Sequence, residues 1–153
     1  AKVVRQLIAA GADVNLTTNS GHTALMYASE IGYFLASNNG DVAVRQLIAA
    51  GANVNLTTNS GHTALIYASE SGNAKVVRQL IAAGADVNLT TRSGRSALMF
   101  ASMNGHYGVV DQLLKARGIK INATEMSGNT ALMFASMNGC RATVKLLKAH
   151  GAR

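Results

Sequence analysis

The sequence contains no proline and no tryptophan, only one cysteine, and aromatic residues at just 5% of its 153 positions. A single cysteine excludes an internal disulfide framework and favours a reducing, cytoplasmic compartment. No apolar run approaches the ~18 residues that a membrane-spanning helix requires, and no charged N-terminal start precedes an apolar core. We therefore expect a soluble intracellular chain, without membrane contact, whose core is packed from small and aliphatic side chains.

The charge is unevenly distributed along the chain. Residues 1–91 hold five basic and five acidic side chains, whereas residues 92–153 hold nine basic and two acidic ones and carry the whole net charge of +7. Such an asymmetry can favour acidic partners or nucleic acid. The simpler interpretation is a solvated surface that is basic at one end.

Internal repetition dominates the sequence. AKVVRQLIAAGADVNLTT at residues 1–18 returns unchanged at residues 74–91, and NSGHTAL occurs at both 19–25 and 59–65. Alignment on the Ser-Gly dipeptides predicts a half repeat at 1–18 and four repeats at 19–58, 59–91, 92–125 and 126–153. A period of about 33 residues is typical of solenoids, in which each repeat packs on its neighbours.

Each repeat contains signals for two helices. In residues 59–91, Gly61 suits a turn that needs positive φ, and Thr63 stands at the N-cap position of a short helix, ALIYASE. Gly72 ends that helix and Asn73 can cap the next one. The second helix, AKVVRQLIAA, has an apolar stripe and is stopped by Gly84. The stripe consists of Val76, Val77, Leu80 and Ile81.

The unit GHTALIYASESGNAKVVRQLIAAGADVN resembles an ankyrin repeat, whose pattern opens with Gly-x-Thr-Pro-Leu-His-x-Ala and closes with Gly-Ala-Asp-Val-Asn. The resemblance covers essentially the whole chain. It implies an all-α ankyrin-repeat solenoid of stacked helix-turn-helix units with β-turn loops, forming a single domain over residues 1–153. It also implies a scaffold that binds proteins rather than small-molecule substrates.

The sequence departs from the family pattern in the same way in every repeat. The family's proline is replaced by Ala24, Ala64, Ala97 and Ala131, and its histidine by Met26, Ile66, Met99 and Met133. The aspartate that usually begins the turn is replaced by Thr18, Thr58, Thr91 and Glu125. Because the histidine makes polar contacts between repeats in the family, we expect stacking here to depend more on apolar packing.

One repeat carries an insertion near residues 29–40, where AS is followed eight residues later by a second AS. It falls between the two helices of its repeat and contains Ile31, Tyr33, Phe34 and Leu35. Large apolar groups in an inserted segment can form a binding element. Alternatively, the segment lengthens the first helix and covers core. We predict a mixture, in which Phe34 or Leu35 packs inward and Tyr33 stays at the surface.

The residue types of catalysis and metal binding are scattered. The four histidines, none of which has ligand neighbours at metal-binding spacing, are His22, His62, His106 and His150. Cys140 stands at a predicted helix start without a histidine or asparagine placed to activate it. We therefore predict no enzyme activity, no metal and no cofactor, and expect the histidines on solvent-facing turns and helix ends.

The resemblance implies where a partner would bind, because turn tips and the exposed side of each first helix line a concave face in ankyrin-like solenoids. In the first two full repeats, and in the insertion, these positions are Asn19, Ser20, His22, Glu30, Ile31, Tyr33, Asn59, Ser60, His62, Glu70 and Ser71. In the last two repeats they are Arg92, Ser93, Arg95, Met103, Asn104, Met126, Asn129, Met137 and Asn138.

Two alternative functions and one prediction about the N-terminus stay open at this point. Nucleic acid could bind the basic half through Arg92, Arg95, Lys115, Arg117, Lys120, Arg141, Lys145 and Lys148, although no tyrosine or tryptophan platform lies among them. A structural spacer within a longer array would explain the near-identity of the repeats. Finally, the chain begins at what should be a second helix, so we expect residues 1–10 to fray or to associate through their apolar stripe.

Overall fold

The computed structural model describes residues 2–31 and 39–153. Within these residues the chain forms nine helices: α1 (Lys2–Ala9), α2 (Ala24–Glu30), α3 (Asn39–Ala49), α4 (Ala64–Glu70), α5 (Ala74–Ala82), α6 (Ala97–Met103), α7 (Tyr107–Leu114), α8 (Ala131–Met137) and α9 (Arg141–Ala149). The described residues contain one isolated antiparallel bridge, between Thr90 and Ser96. The predicted all-α fold is confirmed. The predictions for Tyr33, Phe34 and Leu35 lie outside the described residues.

The helices form two rows. We call α2, α4, α6 and α8 the inner helices and α1, α3, α5, α7 and α9 the outer helices. Each helix packs on the next one in its own row, and each inner helix also packs on the outer helix that follows it in the chain. The result is the stack of helix pairs that the repeat period predicts.

Local capping residues explain where the inner helices begin. Each one follows a threonine or serine whose side-chain oxygen accepts a hydrogen bond from the backbone N–H three residues later, at 3.2–3.3 Å. These caps are Thr23, Thr63, Ser96 and Thr130. Loss of such a cap costs about 1 kcal/mol. The N-cap predicted at Thr63 is therefore confirmed, as is that at Asn73, which accepts from the Val76 N–H.

The apolar core runs the length of the stack at equivalent positions of successive repeats. Met26, Ile66 and Met99 are at most 2% exposed. They occupy the position of the family's histidine, so the expected apolar packing is confirmed in these three repeats. In the last repeat the expectation was wrong, because Met133 at the same position is 45% exposed.

Polar contacts also join the repeats, through a series that we call the asparagine ladder. Its members are Asn15, Asn55, Asn88 and Asn122. Their Nδ2 atoms donate, at 2.8–3.3 Å, to the carbonyl groups of Gly51, Gly84, Gly118 and Gly151. Their Oδ1 atoms accept, at 2.7–2.9 Å, from the backbone N–H groups of Asn53, Asp86, Lys120 and Arg153. Each ladder asparagine therefore fixes the position of the next repeat with two bonds.

Identical sequences take different environments at the N-terminus and in the middle of the stack. Residues 2–9 and 75–82 have the same letters, yet α5 buries Val76, Val77 and Leu80, whereas α1 has no buried residue. Val3 is 64% and Leu7 is 55% exposed. The predicted uncovered stripe at the N-terminus is thus present, and fraying or association of this segment stays a prediction.

Candidate partner-binding surface

The turn tips are bonded directly to one another through the backbone. The Asn59 N–H donates to the Ser20 carbonyl at 3.0 Å, the Arg92 N–H to Ser60 at 2.9 Å, and the Met126 N–H to Ser93 at 3.0 Å. We call the four residues that follow one another at these tips the tip row: Asn19, Asn59, Arg92 and Met126. Their spacing is therefore set by the main chain rather than by side chains.

Gly61 shows why glycine is needed beneath this row. Its φ is +85°, and a Cβ atom there would lie 3.0 Å from both the backbone N of Arg92 and the Cα of Thr91. Only a residue without a side chain allows the two turns to approach so closely.

The residues that replace the family's aspartate still close the turns. The Oγ1 atoms of Thr18, Thr58 and Thr91 accept the backbone N–H four residues later at 3.1–3.2 Å. In the last repeat Glu125 Oε1 accepts from the N–H of Asn129 at 3.1 Å and from its Nδ2 at 2.9 Å. Glu125 is 7% exposed. Hydrogen bonds from the Ser127 and Asn129 backbones lower its pKa, and the charge of Arg95 adds to this effect.

His22 connects two repeats through both of its ring nitrogens. Nδ1 lies 2.8 Å from Ser20 Oγ in its own turn, and Nε2 lies 2.9 Å from the hydroxyl of Tyr67 in the next repeat. The imidazole also stacks on the Tyr27 ring, with centroids 5.3 Å apart. Burial raises the pKa of Tyr67, and the nearby Glu30 carboxylate raises it further. The tyrosine therefore stays a neutral hydrogen-bonding group near pH 7.

The same arrangement continues along the stack with different chemistry. His62 Nδ1 lies 2.8 Å from Ser60 Oγ, and its ring stacks on Tyr67 at 5.3 Å and meets Phe100 at 5.8 Å. In the next repeat the Arg95 guanidinium lies 5.3 Å from the centroid of Phe134. His22 and His62 lie on turns as expected, but both are half-buried against aromatic rings rather than fully facing solvent.

His106 and Cys140 stand at the starts of α7 and α9 and also contact the preceding repeat. His106 Nε2 donates to the Glu70 carbonyl at 2.9 Å, and Cys140 Sγ lies 4.0 Å from the Met103 carbonyl. Among residues 2–31 and 39–153, no group of three or more histidine, cysteine, aspartate or glutamate side chains could hold a metal ion. In this part of the chain no helix is long and apolar enough to cross a membrane.

The predicted binding residues differ in accessibility. Exposed members are Asn19, Ser20, Glu30, Ile31, Asn59, Ser60, Glu70, Arg92, Ser93, Asn104, Met126, Met137 and Asn138, whereas His22, His62, Ser71, Arg95, Met103 and Asn129 are half-buried. Sequence reasoning missed Tyr27, which is 46% exposed, and Met133, which is 45% exposed. Tyr27 precedes Ile31 by four residues, so helical spacing alone could have placed it on the same face.

Comparison with known sequences bears on the whole chain. A family model described as "Ankyrin repeats (3 copies)" matches residues 1–91, 33–125 and 92–153. A comparison with curated proteins gives no match. The matched residues include the capped inner helices and the outer helices, and the stacked pairs form the corresponding architecture. The chain therefore belongs to the ankyrin-repeat family.

Proposed function

We propose that this protein is a non-catalytic interaction module that binds a protein partner through the tip row and the exposed side of the inner helices. Ankyrin repeats are in general protein–protein interaction modules. One observation carries the proposal for this face. The tips repeat the same backbone bonds, yet the exposed side chains that they present change from Asn19 and Asn59 to Arg92 and Met126.

Apolar side chains on the same surface supply candidate anchors. Tyr27 and Ile31 are 46% and 50% exposed at one end, and Met126 and Met137 are 80% and 64% exposed at the other. Aromatic residues often dominate binding energies, and methionine adapts its shape to a partner. A partner that spans this surface would meet apolar contacts at both ends and Arg92 between them.

Four repeats supply this surface in the proposal, after a half repeat at 1–18. Their bounds are 19–58, 59–91, 92–125 and 126–153. It also retains a cytoplasmic location, for which the support is the single cysteine among 153 residues. A non-catalytic role is supported by Cys140, whose sulfur contacts backbone carbonyl groups of Met103 and Asn138.

The test is affinity capture from a lysate of the cells that express the protein, with quantitative mass spectrometry. The double variant Arg92→Ala/Met126→Ala should lose the proteins that the parent captures, because it removes two exposed tip side chains without touching the core. The matched control, Arg117→Ala/Lys148→Ala, changes two exposed residues away from the tips. Equal capture by the tip variant, with an unchanged Tm, would contradict the proposal.

A second candidate is self-association through the N-terminal repeat. Val3 and Leu7 are exposed on α1, and Val4 of the same helix lines an apolar groove of about 400 Å³ together with residues of α2 and α3, such as Ala28 and Leu47. Light scattering over a range of concentrations tests it. The variant Leu7→Lys should lower any association, and a strict monomer at all concentrations would exclude the candidate.

Nucleic-acid binding by residues 92–153 stays an alternative. The cations Lys120, Arg141 and Lys145 are exposed, whereas Lys115 is paired with Asp111 at 2.7 Å. Filter binding of nucleic acid across a salt series tests this alternative, since phosphate contacts weaken steeply with salt. Absence of retention at low salt removes this alternative.

A further inference from the structure

Three equivalent grooves lie between successive outer helices, on the side of the molecule away from the tip row. We call them the outer grooves: the first between α1 and α3, the second between α3 and α5, and the third between α5 and α7. Their volumes are about 240, 280 and 290 Å³. The first is lined by Arg5, Ile8 and Gln46, the second by Arg45, Ile48 and Gln79, and the third by Arg78, Ile81, Gln112 and Lys115, each together with alanines.

Each outer groove combines an apolar floor with an arginine and a glutamine. The Oε1 atoms of Gln46, Gln79 and Gln112 are buried without a hydrogen-bond donor among the described residues. Turning the amide of Gln46 or Gln112 towards an incoming N–H group therefore removes the cost of an unsatisfied acceptor, whereas the Gln79 amide is held by a bond from its Nε2 to Asp41. The series stops after the third groove, because Asp111 and Leu146 take the sequence positions of Arg78 and Gln79.

The second groove shows which group the arginine and glutamine bind. Arg45 Nη2 donates to the Asp41 carboxylate at 3.4 Å, and Gln79 Nε2 donates to the same oxygen. The chain thus supplies its own carboxylate there. In the third groove Ala74 takes the position of Asp41, and among the described residues no carboxylate is bonded to Arg78 or Gln112. Lys115 in the same groove is paired with Asp111 at 2.7 Å.

The spacing between the outer grooves determines which backbone conformation lets one ligand reach all three grooves. Neighbouring packed helices lie about 8–10 Å apart. A polyproline II segment has three residues per turn and advances about 9.3 Å per turn, so every third residue faces the same side at this spacing. A β-strand turns its third residue to the opposite face. An α-helix has no backbone N–H left for the glutamines in its interior, whereas polyproline II leaves its N–H groups free.

We propose that the outer grooves bind an acidic polyproline II segment of a protein, with carboxylates at positions i and i+6. These carboxylates enter the first and third grooves, next to Arg5 and Arg78. The residue at i+3 lies over the second groove and is uncharged, because Asp41 already fills the role of the carboxylate there. The site is separate from the tip row, so it stands or falls independently of the function proposed above.

The probe is a fluorescein-labelled peptide, Pro-Pro-Glu-Ala-Pro-Ala-Ala-Pro-Glu-Pro-Pro, whose glutamates have the i, i+6 spacing. Its isomer has the second glutamate at i+3 and alanine at i+6, with the same composition and net charge. Fluorescence anisotropy with the full chain should give at least about tenfold tighter binding of the first peptide, because the isomer sets a carboxylate against Asp41. Equal affinity for the two isomers would overturn the proposal.

Variants of the chain make the test site-specific. Arg78→Ala should weaken binding of the i, i+6 peptide by about tenfold, since it removes a charge-assisted bond in the third groove. Lys75→Ala, on the same helix but outside the grooves, should leave affinity unchanged. Asp41→Ala should raise the affinity of the isomer towards that of the first peptide. An Arg78→Ala protein with parental Tm and parental affinity would refute the site.

Discussion

His22 Nε2 lies 2.9 Å from the Tyr67 hydroxyl, and this contact joins the turn of one repeat to the inner helix of the next. The two residues are 45 positions apart in the chain. The next repeat offers a natural comparison, because His62 meets the ring of Phe100 at 5.8 Å, where no hydroxyl is available. The same interface is therefore built once with the hydrogen bond and once without it.

Tyr67→Phe should lower the free energy of unfolding by about 0.5–1.5 kcal/mol, the usual net value of one hydrogen bond. Urea denaturation followed by circular dichroism measures the change. The reciprocal variant, Phe100→Tyr in the parent protein, offers His62 a hydroxyl and should raise the free energy of unfolding by part of that amount. If Tyr67→Phe is neutral, the hydroxyl does not hold the repeats together.

The asparagine ladder gives a second stability prediction. Asn88→Ala removes the bonds to the Gly118 carbonyl and from the Lys120 N–H and should cost about 1–3 kcal/mol, since each bond contributes about 0.5–1.5 kcal/mol. Asn19→Ala is the control, because the Asn19 backbone carbonyl rather than its side chain accepts the bond from Asn59. It should stay within about 0.5 kcal/mol of the parent. Chemical denaturation measures the free energy of unfolding of both variants. Equal losses of stability would contradict the conclusion that the asparagine ladder holds the repeats together.

Substitutions at Gly72 and Gly84 distinguish the cost of a steric clash from the cost of backbone strain. Both have positive φ, at +75° and +92°, but a Cβ at Gly72 would lie 2.6–2.9 Å from ring atoms of His106, whereas nothing lies within 4 Å of one at Gly84. Gly84→Ala should cost about 1–2 kcal/mol from the left-handed backbone alone. Gly72→Ala should cost more, because His106 must also give up its bond to the Glu70 carbonyl. Thermal melts of the two variants compare them, and equal Tm values would show that the ring moves freely.

Sequence reasoning predicted features that depend on neighbouring residues. Thr63 caps its helix because its acceptor and the Ile66 N–H lie three residues apart, so the local pattern is sufficient. The repeat period likewise predicted the stack of helix pairs. The contacts of His22 were not predicted because its partner, Tyr67, lies in the next repeat, and no local pattern indicates which ring nitrogen will meet a hydroxyl. The outer grooves were missed for the same reason, since each combines side chains from two helices.

Glu125 makes stability depend on pH. Its pKa is lowered in the folded protein from an ordinary 4.5, chiefly by the Ser127 backbone hydrogen bond. Above that ordinary value both states are ionised and the stabilisation is complete. As the pH falls, the unfolded chain takes up a proton before the folded chain does. The stabilisation by Glu125 therefore decreases with falling pH, and it is lost once the pH is below the folded pKa. The parent should therefore lose stability as the pH falls below the ordinary value of 4.5.

Glu125→Gln keeps an Oε1 acceptor for the Asn129 N–H but cannot titrate. Urea denaturation at several pH values should give a flatter profile for this variant than for the parent. Parallel profiles over the acidic range would show that the Glu125 carboxylate does not contribute.

Leu7 and Leu80 provide a matched pair for measuring what the stack contributes. Both lie in the sequence AKVVRQLIAAG, but Leu80 is fully buried and Leu7 is 55% exposed. Leu80→Ala should cost about 2–5 kcal/mol, because it removes buried methyl groups and leaves a cavity. Leu7→Ala should change stability by no more than about 0.5 kcal/mol, as is usual for surface substitutions. Helix propensity and local sequence are the same at both sites, so the difference in unfolding free energy, measured in urea, reports packing between repeats alone. Equal costs would mean that Leu7 is covered in solution, and light scattering on the same samples would then show whether a second molecule covers it.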